Sequence, residues 1–249
     1  MSSPLSLSWS GATDRGKVRH QNQDSYYGDP RGRFLILADG MGGHSGGEIA
    51  SQLTVDAVMG VLNDLDWDQV PSPDKLVETC VTAATDSLKN WVKSHPEQSD
   101  LGTTLLLFIR DGSRIILGSL GDSRIYLKRN GGLYQITFDQ VIETELRRRG
   151  ADRLQAAKSP GAGYLSRCIL ASRSCEADVI CVDEQNNDEW LLCSDGLTRE
   201  VEQELIKEIL SNYAERSIKE SAEALVEQAL ENGGRDNVTV IVARTTSPS

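Results

Sequence analysis

The sequence predicts an α+β fold, a four-layer αββα sandwich in which two antiparallel sheets are flanked by helix pairs. Three observations lead to this prediction. Candidate strands come in runs joined by short turns instead of alternating strictly with helices, which favours antiparallel sheets. Each half of the chain contains two segments with the apolar periodicity of amphipathic helices. A final candidate strand follows the second helix pair, so both pairs have strands to pack against.

The first half of the chain begins with two candidate strands, at residues 5–11 and 33–39, the second a short apolar run of the buried kind. Ser45-Gly46-Gly47-Glu48 then has the Ser-x-x-Glu form of a capping box, which marks the start of a helix. Behind it, apolar residues recur every four positions. A second helix starts at Ser72-Pro73, with proline in the first helical position, and ends near His95-Pro96.

The second half of the chain opens with three candidate strands, at residues 103–110, 114–120 and 123–128. Short turns at Asp111-Gly112 and Gly121-Asp122 join them, which predicts an antiparallel meander. The remaining predicted elements are a strand at 133–137, a helix at 141–149, a loop at 158–163, strands at 177–182 and 189–194, helices at 201–210 and 218–232, and a closing strand at 237–244.

The composition is that of an ordinary globular protein, with 39% hydrophobic and 25% charged residues in a chain of 249. Residues 1–249 are expected to form a single domain with a frayed tail at 245–249. The net charge is −11, whereas a protein that binds nucleic acid needs basic patches for the phosphates. The composition therefore argues against a nucleic-acid partner. An acidic enzyme that handles anions would need local positive charge, which bound cations can supply.

The cysteines and the amino end indicate the compartment. The sequence contains five cysteines, an odd number, and their spacing is not of the zinc-binding type. The amino end lacks the basic region and apolar run of a secretory signal. No apolar stretch approaches the roughly 20 residues that a membrane-spanning helix requires. We therefore expect a reduced, soluble, cytoplasmic protein with no membrane partner, and a monomer, since nothing in the sequence indicates an oligomer.

Three aspartates lie at the ends of predicted strands. Asp39 and Asp195 each end an apolar strand and are each followed by glycine, Gly40 and Gly196, while Asp236 lies at the start of the last strand. In antiparallel neighbours, the end of one strand and the start of the next meet at the same edge. The three carboxylates are therefore expected to converge there.

Carboxylates that cluster raise one another's pKa values, and a hard divalent cation removes this conflict. Oxygen-only ligands suit Mg²⁺ or Mn²⁺, and a backbone carbonyl such as that of Gly40 can add to them. Asp122, in the turn Gly121-Asp122-Ser123, lies where another strand pair is predicted to reverse. The alternative is plain turn chemistry, because aspartate before glycine is common at strand ends. Spacing alone does not distinguish the two.

Several short segments together resemble the motifs of the PPM (type 2C) protein phosphatases, in the order of that family, and the resemblance extends from about residue 11 to 242. The segments are Arg19-His20-Gln21-Asn22-Gln23-Asp24, Asp39-Gly40-Met41-Gly42-Gly43, Gly102-Thr103-Thr104, Gly121-Asp122-Ser123-Arg124, Ser194-Asp195-Gly196-Leu197 and Gly234-Arg235-Asp236-Asn237-Val238. The chain looks most like the compact bacterial members. The resemblance implies a phosphatase that acts on phosphoserine and phosphothreonine in phosphoproteins, with metal-activated water and no phosphoenzyme intermediate.

The resemblance also implies a role for each matching residue. Asp39 would bridge two core ions, Mg²⁺ or Mn²⁺, with Asp195 and Asp236 completing the carboxylates of the first. The Gly40 carbonyl would serve the second ion. The remaining implied roles are an outer-shell position for Asp24, a third and weaker ion at Asp122 with Asp195, and a clamp on the substrate phosphate for Arg19, whose planar fork suits that task.

The general acid is less well defined by the motifs. Some members of the family carry histidine directly after the first Asp-Gly, where this chain has Met41. His44, three residues on, is a candidate catalytic residue, with a structural loop histidine as the alternative. Two segments depart from the family pattern, Thr137-Phe138-Asp139-Gln140 and Leu165-Ser166-Arg167-Cys168-Ile169-Leu170. The stretch between them corresponds to the flap near the active site, so substrate choice and turnover are open.

Three other functions compete with this interpretation. Cys193 and Arg199 have the Cys-x5-Arg spacing of cysteine-dependent phosphatases, although Asp195 would put negative charge into such a phosphate cradle. A pseudophosphatase would bind phosphoproteins without hydrolysis, and loss of a metal-binding aspartate would favour it. A two-metal phosphodiesterase or nuclease is disfavoured because the acidic chain offers no groove for a polyanion.

Overall fold

A computed structural model describes residues 5–42, 46–211 and 217–247 of the chain. The strands are β1 (Ser6–Asp14), β2 (Asp24–Gly28), β3 (Phe34–Met41), β4 (Gly102–Thr103), β5 (Leu105–Asp111), β6 (Arg114–Leu120), β7 (Arg124–Arg129), β8 (Gly132–Gln135), β9 (Ile169–Leu170), β10 (Asp178–Asp183), β11 (Glu189–Cys193) and β12 (Val238–Thr246). The helices are α1 (Gly46–Asn63), α2 (Pro73–Ser94), α3 (Ile142–Arg148), α4 (Arg153–Ala157), α5 (Asp195–Thr198), α6 (Gln203–Ser211) and α7 (Ile218–Glu231), with a 3₁₀ turn at Pro96–Gln98.

The strands form two antiparallel sheets. The five-stranded sheet has the order β1-β12-β11-β7-β8. The seven-stranded sheet has the order β10-β6-β5-β3-β4-β9, and β2 pairs with the other edge of β3. Each sheet thus combines strands from both halves of the chain.

Three apolar clusters separate the four layers. Leu35 and Leu37 of β3 face Trp190 of β11 between the two sheets, where Trp190 packs edge-on against Phe108 with ring centroids 5.2 Å apart. Phe34 of β3 points the other way, into the cluster with α1 and α2. A third cluster joins α6 and α7 to the five-stranded sheet. β3 is buried on both faces, which explains its continuous apolar run, and the predicted αββα sandwich is confirmed.

The predicted meander is wrong at its third strand. β5 and β6 do pair, but β7 pairs with β11 and β8 in the other sheet. The chain therefore crosses between sheets at Gly121-Asp122 instead of forming a hairpin there. Gln140 satisfies both backbone groups of Gly121. The Gln140 side-chain oxygen accepts the Gly121 N–H at 3.0 Å, and the backbone N–H of Gln140 donates to the Gly121 carbonyl at 2.9 Å. A distant side chain thus replaces the hairpin partner.

The predicted fraying does not begin at residue 245, because β12 continues to Thr246 and pairs with β1 as far as Ser6. Thr245 is buried and its N–H donates to the Asp188 carbonyl. Five further elements were not predicted: β2, β4 as a separate strand, β9, α4 and α5. The predicted capping-box residue Ser45 lies outside the described residues. None of the helices in the described ranges has the length and apolar character needed to cross a membrane.

Candidate metal centre

Asp39 lies near the end of β3, opposite Asp24 in the pairing of β3 with β2. Its backbone is fixed by neighbours, because the Asp39 N–H donates to the Thr104 hydroxyl at 2.9 Å. The Asp39 carbonyl accepts from the Thr103 hydroxyl and from the Thr104 N–H, both at 2.9 Å. The Thr104 hydroxyl also lies 2.9 Å from that of Ser123, next to Asp122. These contacts fix the backbone that carries the Asp39 carboxyl group.

Gly40 follows Asp39 where β3 approaches the start of α1. Its N–H donates to the Gln23 carbonyl at 3.0 Å. A Cβ atom at this position would lie 1.9 Å from the Gly47 carbonyl oxygen, so any side chain would clash with backbone. Glycine is required here by space, and Gly40 itself lies in the wall of the cleft.

Asp195 and Asp236 come from the five-stranded sheet. Asp195 begins α5 directly after β11, and Asp236 precedes β12, the antiparallel neighbour of β11. Ser194 connects this sheet to the other, because its hydroxyl donates to Asp24 Oδ2 at 2.8 Å and accepts the Thr239 N–H at 3.0 Å. The two sheets are therefore hydrogen-bonded to each other directly beneath the aspartates.

Asn237 organises the segment that carries Arg19. Its side-chain amide donates to the carbonyls of Arg15 and Gln21, at 2.8 and 2.9 Å. Its side-chain oxygen accepts the Gln23 N–H at 2.9 Å. Three hydrogen bonds from one side chain therefore hold residues 15–23 against the start of β12.

A cleft of about 500 Å³ opens at this end of the sandwich, with Asp39, Asp122, Asp195 and Asp236 in its wall. From the sequence, Asp39, Asp195 and Asp236 were expected at one edge of one sheet. In the structure Asp39 comes from the seven-stranded sheet, Asp195 and Asp236 from the five-stranded sheet, and Asp122 from the crossover between them. The cleft thus lies between the two sheets.

The electrostatics reflect this crowding of carboxyl groups. Burial raises the pKa of Asp24 to about 6, with the charge of Asp236 adding to the effect. Burial and the charge of Asp122 raise the pKa of Asp195 to about 7, against the opposing charge of Arg199. The pKa of Asp39 is raised well above its usual range by burial, and then by the charges of the surrounding aspartates. A bound cation would relieve this repulsion.

The residues present fit a hard divalent cation. The candidate metal ligands of the cleft wall, carboxylate and carbonyl groups, bind through oxygen atoms. The nearby Asp24 Oδ1 is buried without a hydrogen-bond partner. Across residues 5–42, 46–211 and 217–247, no three His, Cys, Asp or Glu side chains form a compact ligand cluster by themselves. A divalent ion would therefore need a backbone carbonyl such as that of Gly40, and water, which Mg²⁺ usually retains.

Two arginines contact the acidic cluster, which consists of Asp39, Asp122, Asp195 and Asp236. The Arg19 guanidinium donates to Asp236 Oδ2 at 2.8 Å, so the predicted clamp residue does lie in the cleft wall. Arg199 pairs with Asp195 Oδ2 and donates to Asp236 Oδ2 at 3.3 Å. Sequence reasoning considered Arg199 only as a partner of Cys193. Its spacing of four residues from Asp195, at the end of the short helix α5, was the available signal.

The other predicted residues fall in different places. His44 lies outside the described residues, whereas Met41 lines the cleft. Cys193 is fully buried within β11, and burial raises the pKa of its thiol to about 12. A thiol of this kind stays protonated, so the cysteine-phosphatase alternative is wrong. The unusual 138–170 stretch does reach the cleft, through Tyr164, Leu165 and Cys168.

Comparison with known proteins places this fold and cleft in one family. The family model described as protein phosphatase 2C matches residues 15–231. The chain is 39% identical over 241 residues to the serine/threonine protein phosphatase PstP of Mycobacterium tuberculosis, covering 96% of this chain and 45% of the relative. The chain thus spans less than half the length of that protein.

Two further matches cover nearly the whole of both chains. The serine/threonine phosphatase stp of Listeria welshimeri is 32% identical over 240 residues, which is 92% of each chain. The solved structure of the PstP catalytic domain in complex with two manganese ions has a TM-score of 0.82 and 38% identity, with 97% of this chain and 99% of that chain covered. The chain therefore belongs to the protein phosphatase 2C family, as its motifs predicted.

Proposed function

We propose that this chain hydrolyses phosphoserine and phosphothreonine monoesters in phosphoproteins, using divalent cations held in the cleft between the two sheets. The observation that carries the proposal is the meeting of four aspartates and three arginines, Arg19, Arg173 and Arg199, in one cleft. The carboxylates supply oxygen ligands for Mg²⁺ or Mn²⁺, and the arginines supply donors for a phosphoryl group.

The ligand roles are those that the family motifs imply, and the positions of the residues support them. Asp39 lies centrally, coupled by charge to the other aspartates, and is proposed to bridge two ions. Asp195 and Asp236 would complete the first ion's carboxylates, and the Gly40 carbonyl would bind the second ion. Asp122 and Asp195, whose charges interact, would hold a third ion more weakly. When bound, these ions would neutralise phosphate charge and lower the pKa of a water molecule to make a nucleophile.

The remaining roles belong to the chain itself. Arg19 would bind and orient the phosphoryl group, because its fork lies at the cleft and residues 15–23 are held by Asn237. Asp24 is proposed as an outer-shell residue. Its Oδ2 is fixed by the Ser194 hydroxyl, while its Oδ1 is left to accept a hydrogen bond from water. His44 is kept as a candidate general acid.

The side chains of the cleft favour attack by water over a covalent phosphoenzyme. The Thr104 hydroxyl is already bonded to the Asp39 N–H and to Ser123. Burial raises the pKa of the Cys168 thiol, which keeps it protonated. Neither group of the cleft wall is therefore activated as a nucleophile.

The proposal is tested by measuring phosphate release from p-nitrophenyl phosphate and a phosphoserine peptide, with metal-depleted protein before and after addition of Mn²⁺. We expect release only with Mn²⁺, and none from Asp39→Ala with the fold intact by circular dichroism. Binding of the phosphopeptide without any metal-dependent release would instead support a pseudophosphatase.

A further inference from the structure

Arg199 is held by the acidic cluster through its side chain. One guanidinium nitrogen pairs with Asp195 Oδ2, and the other lies 3.3 Å from Asp236 Oδ2. Its charge is also the largest electrostatic influence that opposes the raised pKa of Asp122. A single side chain therefore acts on three of the four aspartates in the cleft wall.

The position of Arg199 allows its side chain to move. The residue caps the single-turn helix α5, and its own N–H donates to the Asp195 carbonyl, so the backbone is held independently of the guanidinium. The Arg199 side chain is 56% exposed, and no neighbour outside the cluster is bonded to it among the described residues. It can exchange its partners without disturbing the core.

The two arginines converge on one atom. Arg19 lies 2.8 Å and Arg199 3.3 Å from the same Asp236 Oδ2. Two guanidinium groups repel each other, so this arrangement depends on the negative charge of the surrounding carboxylates. The oxygen atoms that hold Arg199 are also atoms that a divalent cation would need.

We propose that Arg199 is a tethered cation that competes with divalent ions for Asp195 and Asp236, and that it becomes a second phosphate-contacting arginine once those ions are bound. The proposal rests on the function proposed above for this cleft. Loading with divalent ions removes the negative charge that holds the guanidinium. In the same cleft, the phosphoryl group of a substrate can then supply the negative charge that attracts the Arg199 guanidinium, next to Arg19.

Arg235 provides a matched control. It is the sequence neighbour of Asp236 and carries the same charge, but its side chain is 75% exposed and its ion-pair partner is Glu200, at 3.8 Å. Arg235→Ala therefore removes one positive charge from nearby without removing a contact to the cluster. Arg199→Lys keeps the charge but loses the planar fork that spans two carboxylates.

The first test is calorimetric titration of metal-depleted protein with Mn²⁺. A unit charge next to a divalent ion in a water-like dielectric weakens binding by on the order of tenfold. We expect Arg199→Ala to bind Mn²⁺ about tenfold more tightly than wild type, Arg199→Lys to lie between them, and Arg235→Ala to match wild type within about twofold. Equal Mn²⁺ affinities for Arg199→Ala and wild type would overturn the competition.

The second test is direct binding of inorganic phosphate to protein saturated with Mn²⁺. We expect Arg199→Ala to bind phosphate several-fold more weakly, while Arg235→Ala binds it as wild type does. Unchanged phosphate affinity in Arg199→Ala would overturn the second role. Neither titration requires turnover, so a chain that bound Mn²⁺ and phosphate but released no phosphate from peptides would contradict the proposed function and leave this inference standing.

Discussion

Asn237 shows how one buried amide positions a group that it does not touch. Its three hydrogen bonds end on backbone atoms of residues 15–23, and Arg19 lies in the middle of that segment. Asparagine suits this position because its side chain offers both an acceptor and two donors. The geometry at Arg19 is therefore set from the start of β12.

We expect Asn237→Ala to lower the free energy of unfolding by about 1–3 kcal/mol, because buried backbone groups lose their partners. It should also raise the KM for a phosphopeptide more than it lowers kcat, since the phosphate clamp is displaced. Chemical denaturation and steady-state kinetics measure the two effects. Asn232→Ala removes two exposed side-chain hydrogen bonds, one donated to the Glu200 carbonyl and one accepted from the Gln228 side chain. It is the control and should leave KM unchanged.

Ser194 links the two sheets beneath the aspartates, through Asp24 on one side and the Thr239 N–H on the other. Ser194→Ala should therefore destabilise the protein by about 1–3 kcal/mol, because Asp24 Oδ2 and the Thr239 N–H would stay buried and each lose a hydrogen bond. Ser221 is equally buried, but its hydroxyl donates to a helix carbonyl that already accepts a backbone N–H. A Ser221→Ala variant that lost as much stability as Ser194→Ala would contradict this explanation.

At the scale of elements, the close approach of β3 to α1 creates one wall of the cleft. Only a glycine allows it, since a Cβ on Gly40 would lie 1.9 Å from the Gly47 carbonyl oxygen. The clash is with backbone, so no side-chain rotation can relieve it. The strand and the helix would have to separate, and Asp39 would move with the strand.

Gly40→Ala is expected to destabilise the protein by more than about 2 kcal/mol and to weaken Mn²⁺ binding. Chemical denaturation measures the first effect and calorimetric titration the second. Gly60→Ala, in the helix α1 that β3 approaches, is the control. A Cβ at Gly60 meets nothing within 4 Å, so alanine should stabilise α1 by up to about 1 kcal/mol. Equal effects of the two substitutions would show that the close approach is not required.

The elements also show how far sequence reasoning extends. Most helices and strands were predicted because local periodicity and turn residues specify them, as for α2, which runs from Pro73 to Ser94. The crossing between sheets was not, because it depends on Gln140, whose side chain replaces a hairpin partner from 19 residues away. Likewise the pairing of Arg199 with Asp236 joins residues 37 apart in the chain.

Contacts between residues far apart in the chain also limited the prediction of the cleft from the sequence. The motifs identified Asp39, Asp195 and Asp236, but they gave no information on which sheet each aspartate belonged to. The inter-sheet bond from Ser194 to Asp24 spans 170 positions and has no local pattern. Residues that support the site through such distant contacts could be found only in the folded chain.

At the scale of the whole molecule, the centre draws its ligands from both sheets, so bound ions should hold the sandwich together. A ligand that binds only the native state stabilises it by about 2.7 kcal/mol at a concentration 100-fold above Kd. For a chain of this size we expect Mn²⁺ to raise Tm by about 5–10 °C at that concentration. A thermal scan with and without Mn²⁺ measures the shift. An equal shift in Asp39→Ala would place the stabilising ions elsewhere.

The aspartates between the two sheets are proposed to hold the ions on which the phosphatase activity of this chain depends. The most direct test follows the initial rate of phosphate release from a phosphothreonine peptide as Mn²⁺ is added to metal-depleted protein, for wild type and Asp39→Asn side by side. We expect a rate that rises and saturates with Mn²⁺ in the wild type, and only background release from a folded Asp39→Asn. Mn²⁺-dependent release by Asp39→Asn at the wild-type rate would contradict this proposal.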